Sequence, residues 1–130
     1  MKLNTLIFIV IALVVLGGLI WWLSTPSGPG QYDEFAQCLK DKGAKFYGAW
    51  WCPHCRDQKA EFGKSVSKLP YIECAPPGQQ GVQLQVCKDA KIEGYPTWEF
   101  GSGASTTRIA RVLTLKELSE QTGCVLPVAK

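Results

Sequence analysis

The sequence lacks the charge excess of a nucleic-acid-binding protein. Its net charge is +3, from 14 Lys and Arg against 11 Asp and Glu, and no basic cluster stands out along the chain. Such a balance does not favour a polyanionic partner. Internal repeats are also absent, and histidine occurs once. The length of 130 residues predicts one ordinary domain with a short appendage rather than a multidomain enzyme.

Ionisable side chains are missing altogether between Leu3 and Leu23. As a helix this apolar segment would be about 32 Å long, enough to cross a hydrocarbon core of about 30 Å. Trp21 and Trp22 lie at one end, where indole rings favour the headgroup region. Lys2 flanks the other end, so the positive-inside tendency predicts a cytoplasmic N-terminus and export of everything after the helix.

A cleaved signal peptide is the alternative, although its apolar region normally spans only about 7–15 residues and ends in small residues. Here the apolar run is longer and ends in WWLSTP. We therefore expect an uncleaved transmembrane anchor over residues 1–23, a Ser/Pro/Gly linker over residues 24–30, and one domain over residues 31–130.

Hydrophobic periodicity and turn residues predict the order α-β-α-β-α-β-β-α for this domain. The last helix is expected to begin after Thr114, with Glu117 in capping-box spacing, and to end at Gly123. The other predicted elements are helices over Gln31–Gly43, His54–Ser67 and Val82–Ala90, strands over Ala44–Trp50 and Tyr71–Ala75, and a hairpin of Thr97–Phe100 with Thr106–Ala110.

The motif Cys52-Pro53-His54-Cys55 lies between a predicted strand and a predicted helix. Unpaired N–H groups and the helix dipole favour a thiolate at the first cysteine. We therefore expect Cys52 to be the nucleophile and Cys55 to be the more buried, resolving thiol. His54 adds a cation when protonated, which favours the dithiol form and hence disulfide donation over reduction.

Three other interpretations of this motif are weaker. A zinc site would need a second closely spaced Cys/His pair, which the sequence does not offer, so no metal is expected. Attachment of c-type haem requires His directly after the second cysteine, where Arg56 stands. The third alternative is a purely structural disulfide between Cys52 and Cys55, but so small a loop is usually labile and reactive.

A second motif, Gly94-Tyr95-Pro96-Thr97, stands just before a predicted strand. A proline is admissible at the start of a strand and is by itself a weak signal. Combined with the upstream C-x-x-C, however, this motif makes residues 31–126 resemble the thioredoxin family. More closely, the chain resembles the thioredoxin-like domain associated with vitamin K epoxide reductase homologues, through FAQCLKDKGAKFYGAWWCPHC, LPYIEC, the later Cys87, GYPTWEF and TGC.

The resemblance implies an α/β thioredoxin-like fold, a central mixed sheet flanked by helices, here preceded by a single transmembrane helix. It also implies that Pro96 is a cis-proline facing the C-x-x-C, so that the Tyr95 backbone and neighbouring Thr97 contact an extended substrate segment. No cofactor beyond the redox-active disulfide is expected. A quinone-linked membrane oxidase of the VKOR or DsbB type would re-oxidise the domain. The CPHC sequence is similar to that of DsbA-type periplasmic oxidants.

The sequence departs from the thioredoxin pattern at two positions. Thioredoxins commonly carry a buried acid where Phe46 stands, so Glu61, Glu73 or water would have to take the proton of the resolving cysteine. Arg111 aligns with a glycine beside the substrate groove, where its cation would favour the Cys52 thiolate and narrow the groove. Substrate contact is also expected for Trp51, which directly precedes the nucleophile.

The remaining four cysteines allow three pairings. We favour structural disulfides Cys74–Cys87, between a strand end and the next helix, and Cys38–Cys124, where the terminal helices would pack. In the alternative, Cys74 and Cys87 form a second redox pair that relays electrons from Cys55.

Together these features predict a thiol–disulfide oxidoreductase that is anchored in the cytoplasmic membrane and acts outside it, donating disulfides to exported proteins. Two alternatives stay open. One is a reductase or isomerase, for example one that keeps cytochrome cysteines reduced. The other is a non-catalytic adaptor in which the fold only binds a partner.

Overall fold

The computed structural model describes residues 3–24 and 28–128. Lys2, on which the expected cytoplasmic N-terminus rests, lies outside the described residues, and so do residues 25–27 of the expected linker. Helix α1, Leu3–Ser24, is long and apolar enough to cross a membrane. Its most apolar 18-residue window has a mean hydropathy of 2.9, and none of the helix is buried. Length and composition alone support this candidate span, and a signal sequence would pass the same test.

The domain is built on a mixed four-stranded sheet with the strand order β2-β1-β3-β4. β1 pairs in parallel with β2 and antiparallel with β3, and β3 pairs antiparallel with β4. The strands are β1 Lys45–Gly48, β2 Tyr71–Glu73, β3 Thr97–Phe100 and β4 Thr107–Ile109. This confirms the thioredoxin-like α/β fold and the C-terminal hairpin.

Four helices flank the sheet: α2 Asp33–Asp41, α3 Pro53–Ala60, α4 Gln85–Asp89 and α5 Leu115–Thr122. The single helical stretch predicted over His54–Ser67 is wrong as one element, because α3 ends at Ala60 and a 3-10 turn follows over Gly63–Lys68. Gly63 has a φ of 51°, a left-handed conformation that breaks an α-helix. A second 3-10 turn, Gly103–Ser105, lies within the hairpin connection.

Aromatic rings on the sheet form the centre of the core. Trp98 stacks between Phe46 and Phe100, with ring centroids 4.8 and 5.9 Å apart respectively. Phe35 of α2 and Phe62, which follows α3, stack on each other at 6.0 Å. All five are buried, so the helix that begins at the C-x-x-C rests on a rigid aromatic layer.

Two disulfides close the domain, and they are the pairs that the sequence favoured. Cys38 in α2 is bonded to Cys124 beyond α5, with an S–S distance of 2.08 Å. Cys74, directly after β2, is bonded to Cys87 in α4 at 1.97 Å. Both sulfurs of the second pair lie in residues with no exposed surface. Cys52 and Cys55 are free thiols.

Candidate active site

Cys52 occupies the N-cap position of α3 in an extended conformation, with φ −76° and ψ 119°. Pro53 follows at the first position of the helix, where a missing N–H leaves no hydrogen bond unmade. The Cys52 thiol therefore lies at the positive end of the helix. Only 5% of the residue is exposed, so its sulfur is approached along a restricted path.

The structure brings the two sequence motifs together at this thiol. The Tyr95–Pro96 peptide bond is cis. Cys52 Sγ donates to the carbonyl oxygen of Tyr95 at 3.6 Å. In the dithiol protein this carbonyl is therefore engaged with Cys52. Thr97 is buried and its hydroxyl donates to the Gly94 carbonyl at 2.8 Å, so its side chain closes the turn before Pro96 instead of facing the groove.

Cys55 is the inner thiol of the pair, with 1% of its surface exposed. The pKa of Cys55 is raised to about 12, mainly by burial. The Ala49 N–H and the charge of Lys59 oppose the rise, whereas the Cys52 side chain adds to it. A thiol in this state stays protonated near neutral pH. This placement agrees with an outer attacking thiol, Cys52, and an inner resolving thiol.

A groove of about 410 Å³ runs beside the motif and is lined by His54, Tyr95, Pro96, Ala110, Arg111 and Val112. The His54 side chain is 71% exposed, with Nδ1 3.7 Å from an Asp57 carboxylate oxygen. Arg111 donates to Glu117 at 2.7 Å and to the Val112 carbonyl at 3.0 Å. Arg111 thus borders the expected groove, but its charge is paired with a carboxylate on α5, which weakens the expected effect on Cys52.

Two tryptophans precede Cys52 and differ in environment. Trp51 is half-buried and packs edge-on against Tyr95, with ring centroids 6.1 Å apart. Its buried indole N–H has no hydrogen-bond partner among residues 3–24 and 28–128. Trp50 is 46% exposed, and its indole donates to the Pro76 carbonyl at 3.1 Å. Trp51 therefore shapes the surface between the nucleophile and Tyr95.

The position of the usual thioredoxin acid is filled by the buried ring of Phe46, which packs against Tyr71 at 5.0 Å. Of the two carboxyls considered as substitutes, Glu61 is exposed after α3. Glu73 is half-buried and accepts a hydrogen bond from the Tyr71 hydroxyl at 2.8 Å. Sequence reasoning missed Tyr71 as a neighbour of the site. The sequence signal for this neighbour was Gly48, because an isolated glycine in a strand often marks a position where another group comes close to the backbone.

Within residues 3–24 and 28–128, no group of three or more His, Cys, Asp or Glu side chains is placed to hold a metal ion.

No protein-family model matches the chain. The curated "Thiol-disulfide oxidoreductase LTO1" of Arabidopsis thaliana is 44% identical over 97 residues, which cover 72% of this chain and 25% of that protein. The "Thioredoxin domain-containing protein 5 homolog" of Drosophila melanogaster is 33% identical over 84 residues, 56% of this chain and 19% of that protein. The chain therefore spans a quarter or less of the length of these relatives. Fold and similarity together support a thioredoxin-like family.

Proposed function

We propose that this chain is a thiol–disulfide oxidoreductase in which Cys52 and Cys55 alternate between dithiol and disulfide. The observation that carries the proposal is the geometry at Cys52. Its sulfur lies at the N-terminus of α3, 3.6 Å from the Tyr95 carbonyl and beside cis-Pro96, with Cys55 buried behind it. The name of the Arabidopsis relative supports the same chemistry.

In the donating direction, a substrate thiolate attacks the Cys52 sulfur of the Cys52–Cys55 disulfide. A substrate–Cys52 bond forms, the bond to Cys55 breaks, and Cys55 leaves with the electron pair and takes up a proton. A second substrate thiolate then attacks the substrate sulfur of the mixed disulfide and releases Cys52. The substrate is oxidised and the enzyme reduced by two electrons. Because burial raises the pKa of Cys55, this thiol is protonated once it has left.

We propose that the enzyme is membrane-anchored and works on the extracytoplasmic side, oxidising exported cysteine-containing proteins. The apolar helix α1 supports an anchor. Both disulfides outside the C-x-x-C support an oxidising compartment. Re-oxidation by a quinone-linked VKOR- or DsbB-type membrane partner follows from the resemblance of the domain to those associated with vitamin K epoxide reductase homologues.

The direction is tested by the reduction potential of the Cys52/Cys55 pair, measured in glutathione redox buffers. We expect about −120 to −180 mV, in the range of disulfide donors. A value near −270 mV, typical of thioredoxin, would contradict donation and favour the reductase.

The roles of the two cysteines are separated by serine variants. Cys52→Ser should abolish disulfide transfer, because the accessible sulfur is lost. Cys55→Ser should still exchange at Cys52 and accumulate a mixed disulfide, since no resolving thiol remains. A Cys52→Ala chain with full activity in cells would instead indicate a non-catalytic adaptor.

A further inference from the structure

Cys55 needs a proton partner whenever it attacks or leaves. Its sulfur is buried and its pKa is raised to about 12, mainly by burial. The charged or titratable groups that face it are Cys52 and Lys59 on the α3 side and Tyr71 on β2, with Glu73 behind Tyr71. A protonated Lys59 cannot accept a proton. Among these side chains, the candidates for accepting the proton therefore lie on the side of the site formed by β2.

Tyr71 and Cys55 both approach Gly48, which has no side chain to keep them away. A methyl group on Gly48 would lie 3.0 Å from Cys55 Sγ, 3.3 Å from the Tyr71 hydroxyl oxygen and 2.8 Å from Tyr71 Cε2. The tyrosine ring is held in place from two sides. Phe46 packs edge-on against it, and the Lys59 ammonium lies 3.5 Å from its ring centroid.

Glu73 connects the Tyr71 hydroxyl to solvent. One carboxylate oxygen accepts from Tyr71 at 2.8 Å. The other accepts from the backbone N–H groups of Trp50 at 3.1 Å and Ala75 at 3.0 Å. These three donors fix the carboxylate, and its half-buried position leaves it a path to water.

We propose that Tyr71 and Glu73 are the proton-transfer pair of Cys55, replacing the acid that Phe46 displaces. The inference rests on the proposed function. During resolution, the Cys55 proton passes to the Tyr71 oxygen as the Tyr71 proton passes to Glu73. Cys55 then attacks the Cys52 sulfur of the mixed disulfide, a Cys52–Cys55 bond forms, and the substrate sulfur leaves with the electron pair. In donation, the same route returns a proton to the departing Cys55.

The test uses the reduced full-length protein in detergent and an aromatic disulfide, dithiobis(nitrobenzoate), which releases a coloured thiolate at each step. Release of the first thiolate reports attack by Cys52, and its rate depends on the reagent concentration. Release of the second thiolate reports the intramolecular attack by Cys55, and its rate is independent of the reagent concentration. Because the leaving thiolate needs no proton, the second phase measures deprotonation of Cys55.

Two conservative variants remove the relay and keep its packing. Tyr71→Phe retains the ring, and Glu73→Gln retains an oxygen for the Trp50 and Ala75 N–H groups. Each should slow the second phase by about 10²-fold near neutral pH, at the lower end of what positioned proton transfer contributes. The first phase should be unchanged. The pH profile of the second phase should also change in both variants, because without the relay the deprotonation of Cys55 depends on hydroxide.

Glu61→Gln is the matched control, because it removes the other carboxyl considered for this role from an exposed position. Its two phases should equal those of the wild type. An unchanged second phase in both relay variants would overturn the inference, as would a slowed phase that keeps the wild-type pH profile, or a slowed phase in Glu61→Gln. Absence of the first phase in the wild type would instead overturn the proposed function itself.

Discussion

Gln58 ties the helix of the active site to the rest of the domain. The side chain is fully buried in α3. Its oxygen accepts from the Trp98 indole at 2.9 Å and from the Leu113 N–H at 2.8 Å, while its nitrogen donates to the Leu113 carbonyl at 2.9 Å. One amide thus joins α3 to β3 and to the chain that leads into α5. Because all three bonds are buried, they hold Cys55, one turn earlier, in place.

Replacing Gln58 by leucine should lower the free energy of unfolding by at least about 3 kcal/mol, because three buried polar groups lose their partners at about 1–3 kcal/mol each. Denaturant unfolding of the two proteins measures the difference. Gln85→Leu is the control, since that exposed side chain makes one i,i+4 bond to Asp89, worth about 0.2–0.5 kcal/mol. Equal losses in the two variants would contradict the role of Gln58.

At the residue scale, the sequence indicated the reacting atoms but not what supports them. C-x-x-C and Tyr-Pro are contiguous motifs whose chemistry follows from their spacing. Gln58 follows Cys55 by three residues and precedes Phe62 by four, so its place on the buried face was visible. Its partners, Trp98 and Leu113, lie far along the chain, and only the folded sheet brings them to it.

The capping of α5 is an element that the sequence predicted correctly. Thr114 Oγ1 accepts from the Glu117 N–H at 3.2 Å, and Glu117 accepts from the Thr114 N–H at 2.8 Å. Gly123 ends the helix with a φ of 73°. The salt bridge from Arg111 to Glu117 was not predicted, because Arg111 was expected to face the nucleophile. It links the wall of the groove to the start of α5.

Glu117 should make the domain sensitive to acid. The Arg111 guanidinium, and after it the Thr114 N–H and hydroxyl, lower the pKa of Glu117 to about 2. A pKa below the unfolded value of about 4.3 means that this stabilisation is complete above that value and is lost as the pH falls toward 2. Glu117→Gln should therefore flatten part of the decline in unfolding free energy between about pH 5 and pH 2.

The size of that effect is limited by solvent, because Glu117 lies at the surface and salt screens it. Part of the acid dependence should remain in the variant, because the pKa of Glu99 is also lowered. Burial raises the pKa of Glu99, but its hydrogen bonds to Lys45 and Arg108 lower it overall. Glu120→Gln, on the same helix and near Lys116, is the control. A slope in Glu117→Gln identical to that of the wild type would contradict the prediction.

Element boundaries were less predictable than element types. The strands β1 and β2 are shorter than Ala44–Trp50 and Tyr71–Ala75 because pairing ends at Gly48 and Glu73. Beyond Gly48 the chain turns, with the Cys52 N–H bonded to the Ala49 carbonyl at 3.0 Å. Hydrophobic pattern marks a buried segment, whereas the neighbouring strand determines where its ladder stops.

Across the whole molecule, the two disulfides compensate for a domain of modest core. Cys38–Cys124 spans 86 residues and Cys74–Cys87 spans 13. In the loop-entropy model they contribute about 4.5 and about 3 kcal/mol. Their locations could be anticipated because Cys74–Cys87 joins successive predicted elements, and Cys38–Cys124 joins the terminal helices, which were expected to pack together. Such bonds form and persist in an oxidising compartment, which agrees with a chain that carries an apolar N-terminal helix.

That helix leads to a prediction for the intact protein. The full chain should remain in the membrane fraction after alkaline extraction, because α1 offers 22 residues with a mean hydropathy of 2.9 in its most apolar window. Intact-mass measurement should find residues 3–24 retained. A matched variant, Leu13→Arg with Val14→Arg, should leave the membrane fraction, since each cation at the centre of a span costs about 2.5–3.5 kcal/mol.

The same preparation distinguishes the anchor from a signal peptide. A purified chain that begins after Ser24 and is released by alkali would contradict the anchor, while leaving the chemistry of Cys52 and Cys55 untouched. Orientation is read separately: a membrane-impermeant maleimide added to intact, reduced cells should label Cys52 when the domain is extracytoplasmic. Labelling only after the cells are lysed would place the C-x-x-C on the cytoplasmic side, where glutathione keeps thiols reduced and disulfide donation is disfavoured.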